Sequence, residues 1–229
     1  MDAIIFLNTL EKEFNNHSDP MIAEAQKAYM RNQFEFYGLT ANQRRIIQKP
    51  LFKTYTSSIN KKPKELIETL WMKKERDYQY CAQELIMTNT KQFKVEDFTL
   101  FEFMIINKSW WDTIDFLAPK ILGKYFELYP EKIEPQVEKW LSSNNIWLKR
   151  SCLLFQLKYK QNLNTKLLTH IISSLVGSKE FFINKAIGWI LREYSKTNQE
   201  WVCHFIKTKK LHKLSEVEGL KFIKNQQKR

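Results

Sequence analysis

Apolar residues recur along this chain every three to four positions and almost nowhere in strict alternation, so the pattern predicts helix after helix. Ile4, Ile5, Leu7, Leu10 and Phe14 give a short amphipathic opening element. Ser18-Asp19-Pro20 starts the next helix, with Asp19 as N-cap and Pro20 in the first helical position. That helix carries Ile22, Ala25, Tyr29 and Met30. Tyr37-Gly38-Leu39-Thr40 is a stop followed by a new cap, launching a basic helix through Arg44, Arg45 and Lys49 that Pro50 ends or kinks. Beyond Lys61-Lys62-Pro63 comes a helix with Leu66, Ile67, Leu70 and Trp71. Further helices are predicted over 77–88, 95–106, 110–128 and 130–141, then 146–159 behind an Asn144-Asn145 cap. Asn164 caps a helix to Val176, Gly177-Ser178 ends it, and 179–196 with two shorter helices complete the chain.

The alternation has a period. Trp111, Trp147 and Ile183 are spaced by 36 residues, as are Trp110, Ile146 and Phe182, and Ala118, Leu154 and Ile190. Helix pairs recurring every ~36–40 residues mark an all-α solenoid of HEAT-like repeats, here expected as one continuous array over residues 1–229. In such a superhelix the second helix of each pair lines a concave face. Helices starting near 75, 110, 145 and 180 would then share one surface carrying Trp111, Asp115, Arg150, Lys158, Lys185, Trp189 and Arg192.

Within that frame Lys108-Ser109-Trp110-Trp111-Asp112-Thr113-Ile114-Asp115 stands out. Trp110, Ile114, Leu117 and Ile121 form an apolar stripe that satisfies the core. Trp111 and Asp115, four apart, sit on one face about 100° round from it, an indole beside an acid. Asp115 lacks a cation one turn on, since that position is Pro119. Asp112 fits a first-turn acid favoured by the helix dipole.

Composition sharpens this picture. Only 5 Gly and 6 Pro in 229 residues suit long helices rather than a turn-dense β protein, and 7 Trp leave indole surface to spare for binding. With 37 Lys+Arg against 25 Asp+Glu, the net charge of +12 points to a polyanion, nucleic acid before membrane surface. An acid on a face built for phosphate needs a chemical reason. Lys185, Trp189 and Arg192, at i, i+4 and i+7, set an indole between two cations, which suits phosphate and sugar or base. The 36-residue period also aligns Trp189 with Leu153 and Leu117, so the pattern leaves it open between site and core. Arg150 could clamp a phosphate and Lys158 could contact one, but taken singly each of these, like Arg192, is more often a solvated surface cation. The tail through Lys207, Lys209, Lys210, Lys213, Lys221, Lys224, Lys228 and Arg229 reads as a solvated flank adding non-specific affinity.

Cys81, Cys152 and Cys203 are odd in number and sit in apolar helical contexts, as small buried hydrophobes of a reducing compartment. Neither they nor the four scattered histidines have metal-ligand spacing, so no metal or cofactor is expected. Residues 1–6 lack a basic leader and no run approaches 18 apolar residues, which predicts a soluble, cytoplasmic protein without a membrane partner.

Three blocks carry a family resemblance. They are Ser109-Trp110-Trp111-Asp112-Thr113-Ile114-Asp115, Asn144-Asn145-Ile146-Trp147-Leu148-Lys149-Arg150, and the run from Ser178 through Asn184-Lys185-Ala186-Ile187-Gly188-Trp189-Ile190-Leu191-Arg192 to Tyr194. Over about residues 20–223 the chain resembles the AlkD-like family of DNA alkylation repair glycosylases. The resemblance implies a HEAT-like superhelix holding duplex DNA in a basic concave cleft, and the chain is expected to be a monomer. The resemblance also implies hydrolysis of the N-glycosidic bond of cationic 7-alkylguanine and 3-alkyladenine without obligatory extrusion of the base, and no cofactor. By the same resemblance Trp111 and Trp189 flank the sugar, Asp115 is the catalytic carboxylate, Arg150 holds the backbone and Tyr29 contacts the lesion region. The competing expectation, from charge and architecture alone, is a non-catalytic HEAT-like module binding DNA structure or a protein partner.

Overall fold

Short polar side chains ahead of apolar runs set where these helices begin. In the computed structural model, which describes residues 2–56, 59 and 63–226, Asp19 caps helix α2 (Pro20–Tyr29) by accepting from the Met21 and Ile22 amides at 2.9 and 3.1 Å. Met1, Lys61, Lys62, Lys228 and Arg229 lie outside the described residues. Gly38, at φ +82°, follows a close approach: a Cβ there would fall 2.0 Å from the Asp19 carbonyl oxygen. Thr40 and Gln43 form a reciprocal capping box at the start of α3 (Ala41–Thr54). Pro50 does not end α3, which continues to Thr54.

The helices group into two compact units, residues 1–89 and 90–229. The first holds α1 (Asp2–Asn16), α2, α3, α4 (Pro63–Met72) and α5 (Arg76–Ile86). Phe6, Leu10 and Phe14 are the buried face of α1, whereas Ile4 and Ile5 are exposed, so the opening helix turns differently from the expected face. Leu66, Ile67, Leu70 and Trp71 of α4 are all buried, as their spacing predicts. Among the described residues there is no strand, only a bridge between Glu35 and Glu75.

The second unit holds α6 (Phe98–Ile106), α7 (Trp111–Phe116), a π-helical turn (Leu117–Leu122), α8 (Gly123–Leu128) and α9 (Ile133–Leu141). It continues with α10 (Ile146–Leu154), α11 (Thr165–Leu175), α12 (Phe181–Tyr194), α13 (Gln199–Thr208), α14 (Lys213–Gly219) and α15 (Lys221–Gln226). Here α7, α10, α12 and α14 pack in series, α10 between α7 and α12, and α12 between α10 and α14. The α9 helix packs on α11 behind them. This is an all-α helical-repeat solenoid. Ala118, Leu154 and Ile190, at the predicted 36-residue spacing, are fully buried. The helix starts at 111, 146 and 181 are 35 residues apart, however, so a 36-residue alignment runs one residue, about 100°, round the helix.

Pro119 explains the π turn. A proline has no N–H, so the Asp115 carbonyl loses its i+4 donor and the ladder widens; Gly123 N–H then reaches Ala118 O, five residues back. The predicted helix over 146–159 stops at Leu154, which leaves Lys158 exposed in the following turn. Cys81 and Cys152 are buried, and Cys203 is only half-buried. Among the described residues no helix is long and apolar enough to cross a membrane.

Asn145 accepts from the Trp147 and Leu148 amides at 2.8 and 3.3 Å and so fixes the start of α10. Asn145→Ala is expected to cost about 1 kcal/mol, seen as a drop of roughly 2–4 °C in thermal melting. An unchanged melting temperature would show that the cap contributes nothing.

Candidate active site

The approach to α7 is a sharp turn. Lys108 sits at φ 51°, in the left-handed region, while Ser109 Oγ donates to Ile105 O at 2.5 Å. Trp110 is extended and caps α7 from outside, its carbonyl accepting from Ile114 N and Thr113 Oγ1. Its indole is half-buried against Trp147 and Phe182, with ring centroids at 5.6 and 5.3 Å. The core stripe therefore consists of Ile114, Leu117 and Ile121, while Trp110 belongs to an aromatic trio joining α7, α10 and α12. Trp110 Nε1–H is buried with no acceptor among the described residues.

An ion pair joins two of the same helices. Asp115, on α7, has a side chain 20% exposed; Arg150, on α10, is 3% exposed. Arg150 Nε donates to Asp115 Oδ1 at 2.8 Å and Nη2 donates to Oδ2 at 2.9 Å, a bidentate side-on clamp. Arg150 Nη1 donates to the Phe182 carbonyl, tying the same guanidinium to the first turn of α12. The cation missing one turn along α7 thus arrives from α10, 35 residues on. Sequence reasoning weighed only partners on the same helix and missed it; a 35-residue period would have aligned Asp115, Arg150 and Lys185. Arg150 is also placed differently from a solvent-facing phosphate clamp, because its guanidinium is buried and turned to Asp115 and Phe182.

Burial pushes the Asp115 carboxyl up to about 6, against the pull of Arg150 and with a smaller contribution from Asp112. The result is a carboxylate that is anionic at neutral pH, oriented by two hydrogen bonds and poorly hydrated. Such a group is ready to stabilise a cation that forms beside it.

Trp111, the first residue of α7, is half-buried one turn before Asp115. Trp189 is half-buried on α12, outside the fully buried set. Lys185 and Arg192, one turn before and nearly one turn after Trp189, both pair with Glu218 of α14. Burial, followed by Arg192 and Arg150, pulls the Lys185 amine below its ordinary range. Lys158 stays exposed. Tyr29, 70% exposed, closes α2 in the first unit. A cavity of about 260 Å³ lies between Leu157, Leu163 and the last turn of α12 at Glu193 and Tyr194. It lies about 16 Å along α12 from Phe182 and has no part in this arrangement.

A model of the family described as "DNA alkylation repair enzyme" matches residues 10–223. A solved structure from Enterococcus faecalis, described as a predicted DNA alkylation repair enzyme, is similar with a TM-score of 0.83 and 35% identity. The match covers 90% of this chain and 96% of that one. No curated protein matches.

The pair itself can be tested without substrate. Carbon-13 NMR should show Asp115 titrating near 6, and moving further up in Arg150→Lys, where the bidentate hydrogen bonds are removed. A wild-type midpoint near the ordinary value of about 3.9 would contradict the dominance of burial.

Proposed function

The chain belongs to the DNA alkylation repair enzyme family, AlkD-like in kind, and from that premise we propose that it is a DNA glycosylase for cationic N-alkylated purines. Its substrates are duplex DNA carrying 7-alkylguanine or 3-alkyladenine. The observation that carries the reading is Asp115, a carboxylate only 20% exposed and held in a bidentate grip within a strongly basic protein. Phosphate binding alone gains nothing from a carboxylate there.

The chemistry suits such a group. N-alkylation leaves the purine positively charged, so it departs without protonation. The electrons of the C1′–N9 bond pass to the base and neutralise it, and positive charge spreads over C1′ and the ring oxygen of the sugar. Asp115 stabilises that oxocarbenium-like charge and orients the water, whose oxygen bonds to C1′ as its proton leaves to solvent. Trp111 and Trp189 flank the sugar, excluding water and adding cation–π stabilisation. Since the acid acts on the sugar rather than on the base, extrusion of the base is not required. Arg150 holds the carboxylate in place. Lys158, Lys185 and Arg192 are proposed contacts to phosphate, and Tyr29 a DNA contact of the first unit. The protein acts as a monomer without a cofactor, leaving an abasic site in an intact backbone.

One observation favours a second reading, a non-catalytic solenoid that binds DNA structure. Asp115 is neutralised by Arg150, as a purely structural pair would be.

Methylated duplex DNA separates the two. The glycosylase releases free 7-methylguanine without strand cleavage, and Asp115→Asn slows release on the order of 10²–10³-fold. Tight binding with no release by the wild type selects the second reading.

The pH profile adds an independent check. Protonation removes the charge that the transition state needs, so the release rate falls as pH drops through about 6 and is flat above it. A rate unchanged between pH 7 and pH 5 would remove Asp115 from the mechanism.

A further inference from the structure

Three charged side chains next to Trp189 form a unit of their own. Glu218, on α14, is 6% exposed, yet it is the meeting point of two cations from α12. Lys185 Nζ lies 2.5 Å from its Oε2, and the Arg192 guanidinium pairs with its Oε1. The approach is made possible by Gly188, between the two cations in sequence. A Cβ at that position would lie 2.5 Å from the Glu218 Cβ and 3.0 Å from the Ser215 carbonyl oxygen. From the other side Ser215 Oγ donates to the Asn184 carbonyl at 2.8 Å, within the buried contact between α12 and α14.

The carboxylate therefore grips both cations from the inside, while they keep 40% and 29% of their side chains exposed. An ammonium has three donors and a guanidinium five, so each retains donors for a second, outward partner. Long flexible cations held in one pose before a ligand arrives lose less freedom on binding. The triad also carries one net positive charge, so its outward face still attracts an anion.

We propose that Glu218 is a positioning residue, which fixes Lys185 and Arg192 on either side of Trp189 as a preformed receptor for two backbone phosphates of duplex DNA. This rests on the proposed reading of Lys185, Trp189 and Arg192 as a DNA-facing stripe. Glu218 touches neither phosphate nor sugar; it acts through the two cations.

The sign of one substitution decides between positioning and simple charge. Glu218→Gln removes a negative charge from a DNA-facing region, so electrostatics alone predicts tighter binding. Positioning predicts the reverse: undamaged duplex bound at least about three-fold more weakly at low salt, with a shallower dependence of log K on log[salt]. Each phosphate that is no longer neutralised reduces that slope by about 0.9. Fluorescence anisotropy over a salt series, on protein shown by thermal melting to be folded, reads both quantities. Binding equal to or tighter than wild type, with an unchanged or steeper slope, overturns the proposal. Should Glu218→Gln fail to fold, Glu218→Asp keeps the charge but cannot span both cations. The same weakening is then expected, and wild-type binding overturns it. Because the duplex is undamaged, the outcome does not depend on base release. A protein that binds in this manner but releases no 7-methylguanine leaves the role of Glu218 standing and refutes only the glycosylase reading.

Discussion

A single guanidinium ties three helices of the second unit together. Arg150 is almost wholly buried and joins the Asp115 carboxylate on α7 to the Phe182 carbonyl on α12, across its own helix α10. A buried charge without a partner is expensive, on the order of several kcal/mol per ion, so each half of the pair obliges the other to stay. The aromatic trio of Trp110, Trp147 and Phe182 belongs to the same three helices. What places a carboxylate beside Trp111 is thus a three-helix lock built from one repeat packed on the next.

The same logic recurs one helix further along. Asp115 and Arg150 are 35 residues apart, Lys185 is 35 beyond Arg150, and Lys185 meets Glu218 on α14. Acid, cation, cation, acid run across four helices packed in series. Neither acid lies at the open surface: Asp115 is 20% and Glu218 6% exposed, the first held by a buried arginine and the second gripping two cations. A strongly basic chain that keeps two acids among its cations gives each a task, and the proposed tasks differ. Asp115 is the proposed partner of a transient sugar cation. Glu218 is the proposed organiser of the cations beside it.

Much of this is legible in the residues themselves. Asp19, Thr40, Asn145 and Asn164 announce helix starts because a short acceptor can satisfy amides that a helix leaves open, and all four do so. The buried stripe Ile114, Leu117 and Ile121 follows from 3.6-residue spacing. What the chain does not disclose is which partners meet between helices. Trp110 reads as core only if the helix is extended one residue too far, whereas the backbone there is extended. Arg150 reads as a phosphate clamp because its own helix says nothing about Asp115, which depends on how α7 and α10 are rotated. Lys158 falls on a predicted helix that in fact ends four residues earlier. The pairing of Lys185 and Arg192 is hidden because Glu218 lies beyond two loops, and only Gly188 admits α14 so closely.

The central claim is that Asp115 and Arg150 act as one unit, the acid doing the chemistry and the arginine holding it. A double-mutant cycle on single-turnover release of 7-methylguanine measures that directly, with Asp115→Asn, Arg150→Lys and the combination. If Arg150 acts only through the carboxylate, the combined variant is no slower than Asp115→Asn alone. Rate losses that multiply would show two independent roles and contradict the account.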